Sequence, residues 1–210
     1  AWFVMFKDGV IYHADGEFDA QGLSLHRDRS GEVSERIYAC FVCRDNGEMT
    51  IERLKFVKGV NGTRDRVLVA ATNEDITDAV RLAFFGQTIV ENGAAFTEGE
   101  IRAKEHEFDD KGHLAQPYPH NALGLREDGS IVVGSVGGDR NAGQGVMPWD
   151  MAEFMRQQGA RQAILLSNGG DATIRLNEDL VTASLAGRVG TRSRVRTWST
   201  AAISIAFRAQ

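Results

Sequence analysis

The sequence predicts an α+β protein with mixed, mostly antiparallel sheets and two main helices. Three observations predict it. Short β-type segments bounded by Gly, Asp or Asn dominate the first third of the chain. Only two later segments carry the i, i+3, i+4 apolar spacing of a helix. After the second of these, the chain reads strand, turn, strand, strand, so few helices are left to cover the sheet.

Taken in order, the strand candidates are "WFVMF", "GVIYHA", "GLSLHR", "RIYACFVC", "MTIERLKFV" and "RVLVAA", and Asn46-Gly47 between two of them is a hairpin cue. The first helix is expected from about Glu74 to Ala83, capped by Thr72 or Asn73, with Ile76, Val80 and Ala83 on one face and an end near Gly86. The second opens at Pro148 and runs through "PWDMAEFMRQQ" to a stop at Gly159. Trp149, Ala152 and Met155 fall on one side of it, with Met151 and Phe154 beside them. Amphipathic spacing explains that stripe as core packing. Then come "RQAILL", the turn "SNGGD", "ATIRLN", a short "NEDL" turn, "VTASLA" and a last strand, "VRTWSTAAISIAFR".

The chain has 210 residues, 42% hydrophobic and 25% charged, which is enough to bury a core without metal or disulfide staples. No linker or internal repeat divides it, so residues 1–210 are expected to form a single domain. A net charge of -5 argues against nucleic-acid binding. No stretch approaches the ~20 apolar residues of a membrane span. The chain starts at Ala1, inside an expected strand, as a processed or excised piece of something longer would. An extracellular, envelope-associated or particle location is favoured over the cytoplasm, although no signal peptide is visible. Cys40 and Cys43 are three apart in one expected strand and point to opposite faces, which disfavours a disulfide and suggests inert thiols.

His13, His26, His106 and His113 lack metal-ligand spacing. The charged loop "KEHEFDDKGHLAQPYPH" reads as a polar lid, with cation binding as the lesser alternative. There is no P-loop, GxGxxG or GxSxG motif, so no cofactor and no metal is expected. Arg192, Arg194 and Arg196 alternate, with Arg188 nearby. They form either an anion-binding comb or a solvated strand face.

The polar, glycine-rich end of "AILLSNGGDATIRL" raises the question of a tight connection or a site. Here a resemblance enters. The succession "PHNALGLREDGSIVVGSVGGDR", "GQGVMPWDMAEFMRQQGARQAILLSNGGDAT" and "RVRTWSTAAISIA" resembles the phosphodiester glycosidase family, that of N-acetylglucosamine-1-phosphodiester alpha-N-acetylglucosaminidase, whose pattern reads PRTAIG, VDGR, NLDGGGSST and a late Arg before a final strand. More loosely, "FKDGVIYHADGEFDAQGLSL" and "AFFGQTIVENG" resemble segments of the bacterial members, with the family's early asparagine falling near Lys7 or Asp8. The resemblance implies the phosphodiester glycosidase fold and a cleft lined by these motifs. It implies His120, Asp139 and Asp171 as candidate catalytic residues. Arg140, Ser167, Asn168, Gly169, Gly170, Thr173 and Arg196 are the implied substrate-binding residues.

Three replacements stand out. His120 occupies the position of the family's PRTA arginine, Ser167 that of an acidic residue, and Asp171 that of a serine. Cleaving a sugar-1-phosphodiester needs charge stabilisation at phosphate and acid/base help for the leaving group and water. Both are weakened by these exchanges. The expected function is therefore a degenerate member that binds a carbohydrate or phosphosugar ligand, or that serves as a structural attachment module in a homo-oligomer or larger assembly. The rival is an active hydrolase of sugar-1-phosphodiester bonds. Asp171 reads equally well as a turn cap, and His120 alone reads better as a packing histidine.

Overall fold

The computed structural model describes residues 4–13, 17–27, 31–104, 114–139, 143–168, 174–176, 179–182 and 184–185; for His13, Arg27, Asp139, Ser167, Asn168 and the residues after 173 the description is of the backbone. In chain order the strands are β1 (Val4–Lys7), β2 (Val10–His13), β3 (Glu17–Phe18), β4 (Ser24–Arg27), β5 (Val33–Glu35), β6 (Tyr38–Arg44), β7 (Met49–Val57), β8 (Arg66–Val69), β9 (Val80–Glu91), β10 (Ala94–Ala95), β11 (His120–Leu125), β12 (Ile131–Val136), β13 (Gly138–Asp139), β14 (Gln162–Asn168), β15 (Ile174–Leu176), β16 (Asp179–Thr182) and β17 (Ser184–Leu185). Two α-helices are described, α1 (Glu98–Ala103) and α2 (Pro148–Gln157).

The main sheet runs β12-β11-β14-β9-β6-β7-β8, and β1, β2 and β10 join it alongside β9. All of its ladders are antiparallel. A smaller pair, β13 and β17, is parallel. The architecture is thus the expected α+β arrangement, mixed but mostly antiparallel, with two helices.

Tight turns fix several registers. Asp8 and Gly9 both take positive φ, 50° and 81°, as do Asn92 and Gly93 at 54° and 80°, which is the two-residue geometry whose twist matches paired strands. The Asn46-Gly47 cue also joins a hairpin, where the Gly47 N–H donates to the Arg44 carbonyl at 3.0 Å.

Period-two alternation sorts the strands' side chains into cores on opposite faces. Phe6, Tyr38, Cys40, Leu54, Phe56 and Val67 fill one face. Phe41, Phe84, Leu123, Leu125 and Ile164 fill the other. Each such large apolar side chain, once buried, contributes about 1.5–3 kcal/mol. Cys40 lies in the first cluster and Cys43 packs against the second, so both remain free thiols on opposite faces. Burial pushes the Cys40 thiol well up.

The first expected helix is not there. Residues Thr77–Ala79 form one 3₁₀ turn, and Val80–Glu91 is the twelve-residue strand β9. Ile76, Val80 and Ala83 mimic helical spacing, but the run "VRLAFFGQTIV" is flanked on both sides by strands that pair with it. Sheet pairing overrides local periodicity. The Asp75 carboxylate accepts from the Thr77 N–H at 3.0 Å and closes the short turn instead.

The helix α1 lay outside expectation, although "TEGE" carries its signal. Thr97 Oγ1 accepts from the Glu100 N–H at 3.3 Å, and Glu100 accepts from the Thr97 N–H at 2.7 Å, forming a capping box. Replacing Thr97 by alanine is expected to cost about 1 kcal/mol. A thermal melt lowered by roughly 2–4 °C would register it, and an unchanged melt would show the box to be energetically idle.

The second helix forms where expected. Pro148 opens it, the Asp150 carboxylate accepts from the Met147 N–H at 3.2 Å, and Gly159 at φ 86° ends it while the Ala160 N–H donates to the Met155 carbonyl at 3.1 Å. Met151, Ala152 and Met155 are buried against Val90, Ala122, Val132 and Leu165, and Trp149 packs at the margin under the Arg102 guanidinium. Phe154 is the exception to the expected core stripe and stays 40% exposed. Glycines let the helix lie flush on the sheet. A Cβ at Gly124 would stand 2.8 Å from the Gln162 carbonyl oxygen, and one at Gly134 2.6 Å from the Met155 sulfur.

Candidate functional site at one end of the sheet

Three strand ends meet at one edge of the main sheet. His120, the first residue of β11, is in register with Val136, the last of β12, and with Asn168, the last of β14. The neighbouring row is Ser135, Asn121 and Ser167. A register shift between Asn121 and Ala122 inserts Leu166 as an extra residue on β14. This bulge re-aims the strand end that carries Ser167 and Asn168.

Alternation gives the two rows different faces. His120 shares its face with Ala122, which packs under α2, and is itself 1% exposed. Asn121 faces the other way, where its Oδ1 accepts from Ser135 Oγ at 2.6 Å. His120 and Ser167, the positions of the two largest chemical exchanges, therefore belong to adjacent rows of the ladder. The residue in register with His120 is Asn168.

Backbone packing walls this end. The Tyr118 N–H donates to the Val146 carbonyl at 3.0 Å and receives the reciprocal bond at 2.9 Å. Gly145 lies directly against the Tyr118 carbonyl and the Pro119 nitrogen. Gly138 in turn lies against Gln144, where a Cβ would stand 2.7 Å from its carbonyl oxygen. Backbone thus stacks on backbone from 138 through 144–145 to 118–119, and only glycine permits the approach. Gln116 Nε2 donates to the Tyr118 hydroxyl at 3.3 Å along the same wall.

Asp139 ends β13, three residues beyond Val136 (139 − 136), and pairs with Leu185 of β17. The structure brings the backbones of His120, Ser167 and Asn168 to one sheet end, while Asp139 lies in the separate β13–β17 pair. Ser167 and Asn168 lie within β14 rather than in the expected turn, because the ladder with β11 continues through them. Arg140, Gly169, Gly170, Asp171, Thr173 and Arg196 lie outside the described residues, as do Arg188, Arg192, Arg194, the loop 105–113 and the expected last strand. Lys7 ends β1 and Asp8 opens the tight turn after it, with side chains 57% and 71% accessible. Asn121, Ser135 and Tyr118 were not anticipated as members of this site; the PHNA quartet at the start of an apolar strand was the signal for Asn121. Among the described residues, no group of three or more His, Cys, Asp or Glu could hold a metal ion. Nor is any described helix long and apolar enough to cross a membrane.

A family model described as phosphodiester glycosidase matches residues 9–197. The chain belongs to the phosphodiester glycosidase family. No curated protein matches it by sequence. Among solved structures, the zebrafish N-acetylglucosamine-1-phosphodiester alpha-N-acetylglucosaminidase catalytic domain, auto-inhibited by its pro-peptide, matches at 18% identity and TM-score 0.49, over 86% of this chain and 55% of that one. A hypothetical protein from Synechocystis matches at 13% identity and TM-score 0.44, over 86% of this chain and 45% of that one. This phosphodiester glycosidase chain thus spans about half the length of the structures it matches. Membership gives the motif order its meaning. The PHNA, VGGD and SN segments that carry it are those whose strand ends meet at His120.

Proposed function

We propose that this phosphodiester glycosidase-family chain is a binding or attachment module. It takes a phosphorylated sugar or related glycan at the His120 end of its sheet and does not hydrolyse it. One observation carries the reading: a buried imidazole stands in register with Asn168, at the position where the family pattern has an arginine, and Ser167 stands where it has a carboxylate. A guanidinium is always charged and grips two phosphate oxygens at once, whereas a neutral imidazole donates a single hydrogen bond. A serine at the acid's position neither protonates a leaving group nor activates water as a carboxylate does. Binding through backbone N–H groups, hydroxyls and amides survives these exchanges. Rate acceleration is lost with them, on the order of a hundredfold or more for one missing stabiliser.

The test is equilibrium binding and product detection with UDP-N-acetylglucosamine or a sugar-1-phosphodiester. The expected result is saturable binding without product, weakened about tenfold by His120→Ala, the worth of roughly one hydrogen bond to a charged group. Product release by the unaltered chain would overturn the proposal. A second reading, an active hydrolase, draws on Asp139, whose backbone lies three residues past the partner of His120 (139 − 136), and on Asp171, four residues past Ser167 (171 − 167). One carboxyl would protonate the leaving oxygen while the other takes the proton of water. Turnover abolished by Asp171→Ala would establish that reading. Assembly into a homo-oligomer or a larger particle belongs to the attachment role, and solution mass measurement tests it.

A further inference from the structure

Asn121 is a polar side chain held in apolar surroundings. It is 9% exposed, and alternation along β11 sets it on the face of Leu123 and Leu125, with Ile164 beside them. A planar amide carries one acceptor end and one donor end, and burial requires a partner for each. The acceptor end is committed to β12, since Asn121 Oδ1 accepts from Ser135 Oγ at 2.6 Å. On the other side of β11 lies β14 with its bulge. Asn121 is in register with Ser167 and Ala122 with Leu165, so Leu166 has no counterpart on β11. Leu166 packs against the same apolar cluster as Leu123 and Ile164, which puts the extra residue on the face of the Asn121 amide.

A bulge takes a backbone group of its extra residue out of the ladder, and such a group, once shielded from water, needs a partner from elsewhere. We propose that Asn121 is that partner, a positioning residue whose amide, anchored at Oδ1 by Ser135, donates from Nδ2 to the backbone at the Leu166 bulge. The bond fixes the strand end that carries Ser167 and Asn168. An amide suits the task because its acceptor and donor sit on different atoms and can serve two neighbouring strands at once. The position is also where the strand end most needs a hold. Among the described residues, β9 pairs with β14 only as far as Leu165, and beyond that point β11 is the strand that keeps it in place. What this does for a ligand rests on the site reading above: loosening the bulge shifts Ser167 and Asn168 together.

Backbone hydrogen exchange in the full chain tests the bond without any ligand. Asn121→Asp keeps the shape of the side chain and the acceptor for Ser135 but has no amide hydrogens to give. Amides of Leu166–Asn168 should then exchange about tenfold faster, roughly the worth of one hydrogen bond, while those of Phe41 and Leu54 in β6 and β7 keep their rates. Ser135→Ala releases the amide and should loosen the same three residues, whereas Ser135→Thr retains the hydroxyl and should match the unaltered chain. Should Asn121→Asp fail to fold, these two variants decide the matter by the same readout. Unchanged exchange at 166–168 would overturn the proposal. So would an acceleration shared by Phe41 and Leu54, which marks a role in overall stability alone. Equilibrium binding of UDP-N-acetylglucosamine separates this proposal from the site reading: Asn121→Asp should bind about tenfold more weakly. Locally faster exchange with unchanged affinity would uphold the role of Asn121 and overturn the site reading instead.

Discussion

Gly145→Ala is expected to lower the melting temperature by roughly 6–12 °C, the shift that corresponds to about 3 kcal/mol in a chain of this size. The cost has two sources. Gly145 sits at φ 134°, a conformation that side-chain-bearing residues rarely adopt. Its added methyl would also overlap the Tyr118 carbonyl and the Pro119 nitrogen, and backbone cannot swing aside as the tip of a side chain can. Tyr118 and Pro119 lead directly into His120, so under the proposed function ligand binding should weaken together with stability. Gly143→Ala is the control. It too has a positive φ, 63°, but meets nothing within 4 Å among the described residues, so its melt should move by no more than about half as much. Equal effects at 143 and 145 would show that backbone strain, and not the contact with the 118–119 segment, sets the cost.

Asp65→Ala is expected to cost about 3 kcal/mol, because it breaks a buried carboxylate's charge-assisted bonds all at once. The Asp65 carboxylate accepts from the Ile11 N–H at 2.7 Å, the Gly59 N–H at 2.8 Å and the Lys58 ammonium at 2.7 Å. It ties β2 to the loop between β7 and β8. Burial by itself would raise this carboxyl, but the Lys58 ammonium and the two N–H groups outweigh burial and hold it below its ordinary range. A depressed folded-state value means that the ionised form stabilises the fold. That contribution is fully present above the unfolded carboxylate value of about 3.9 and disappears as pH falls through the depressed value. The gap in stability between the unaltered chain and Asp65→Asn should therefore be widest near neutral pH and close in acid below about pH 4. Urea titrations at several pH values would measure it, and a gap that persists unchanged at low pH would refute the linkage.

Sequence legibility divided along a physical line. Strands β1, β2, β4, β6, β7 and β8 coincide with segments marked by alternation and by Asp-Gly or Asn-Gly turns, and α2 coincides with a Pro-opened, Gly-closed amphipathic run. These signals are local. The failure at 74–83 was local as well. Three apolar residues spaced like a helix face lay in the longest strand of the sheet, where pairing with β1 and β6 on either side decided the outcome. The helix α1 is six residues long, too short for periodicity, and only its capping box announced it.

The sequence by itself determined the family, the antiparallel α+β class and the motifs that carry the candidate site, because turn chemistry, alternation and motif order are written in neighbouring residues. Only the tertiary structure decided that His120 is buried in register with Asn168 while Asn121 aligns with Ser167, and that Gly145 supports the 118–119 backbone. Those facts depend on strand register and on a single bulged residue in β14. A one-residue slip between strands moves every side chain to the other face, and that choice is made by contacts between segments far apart in the chain.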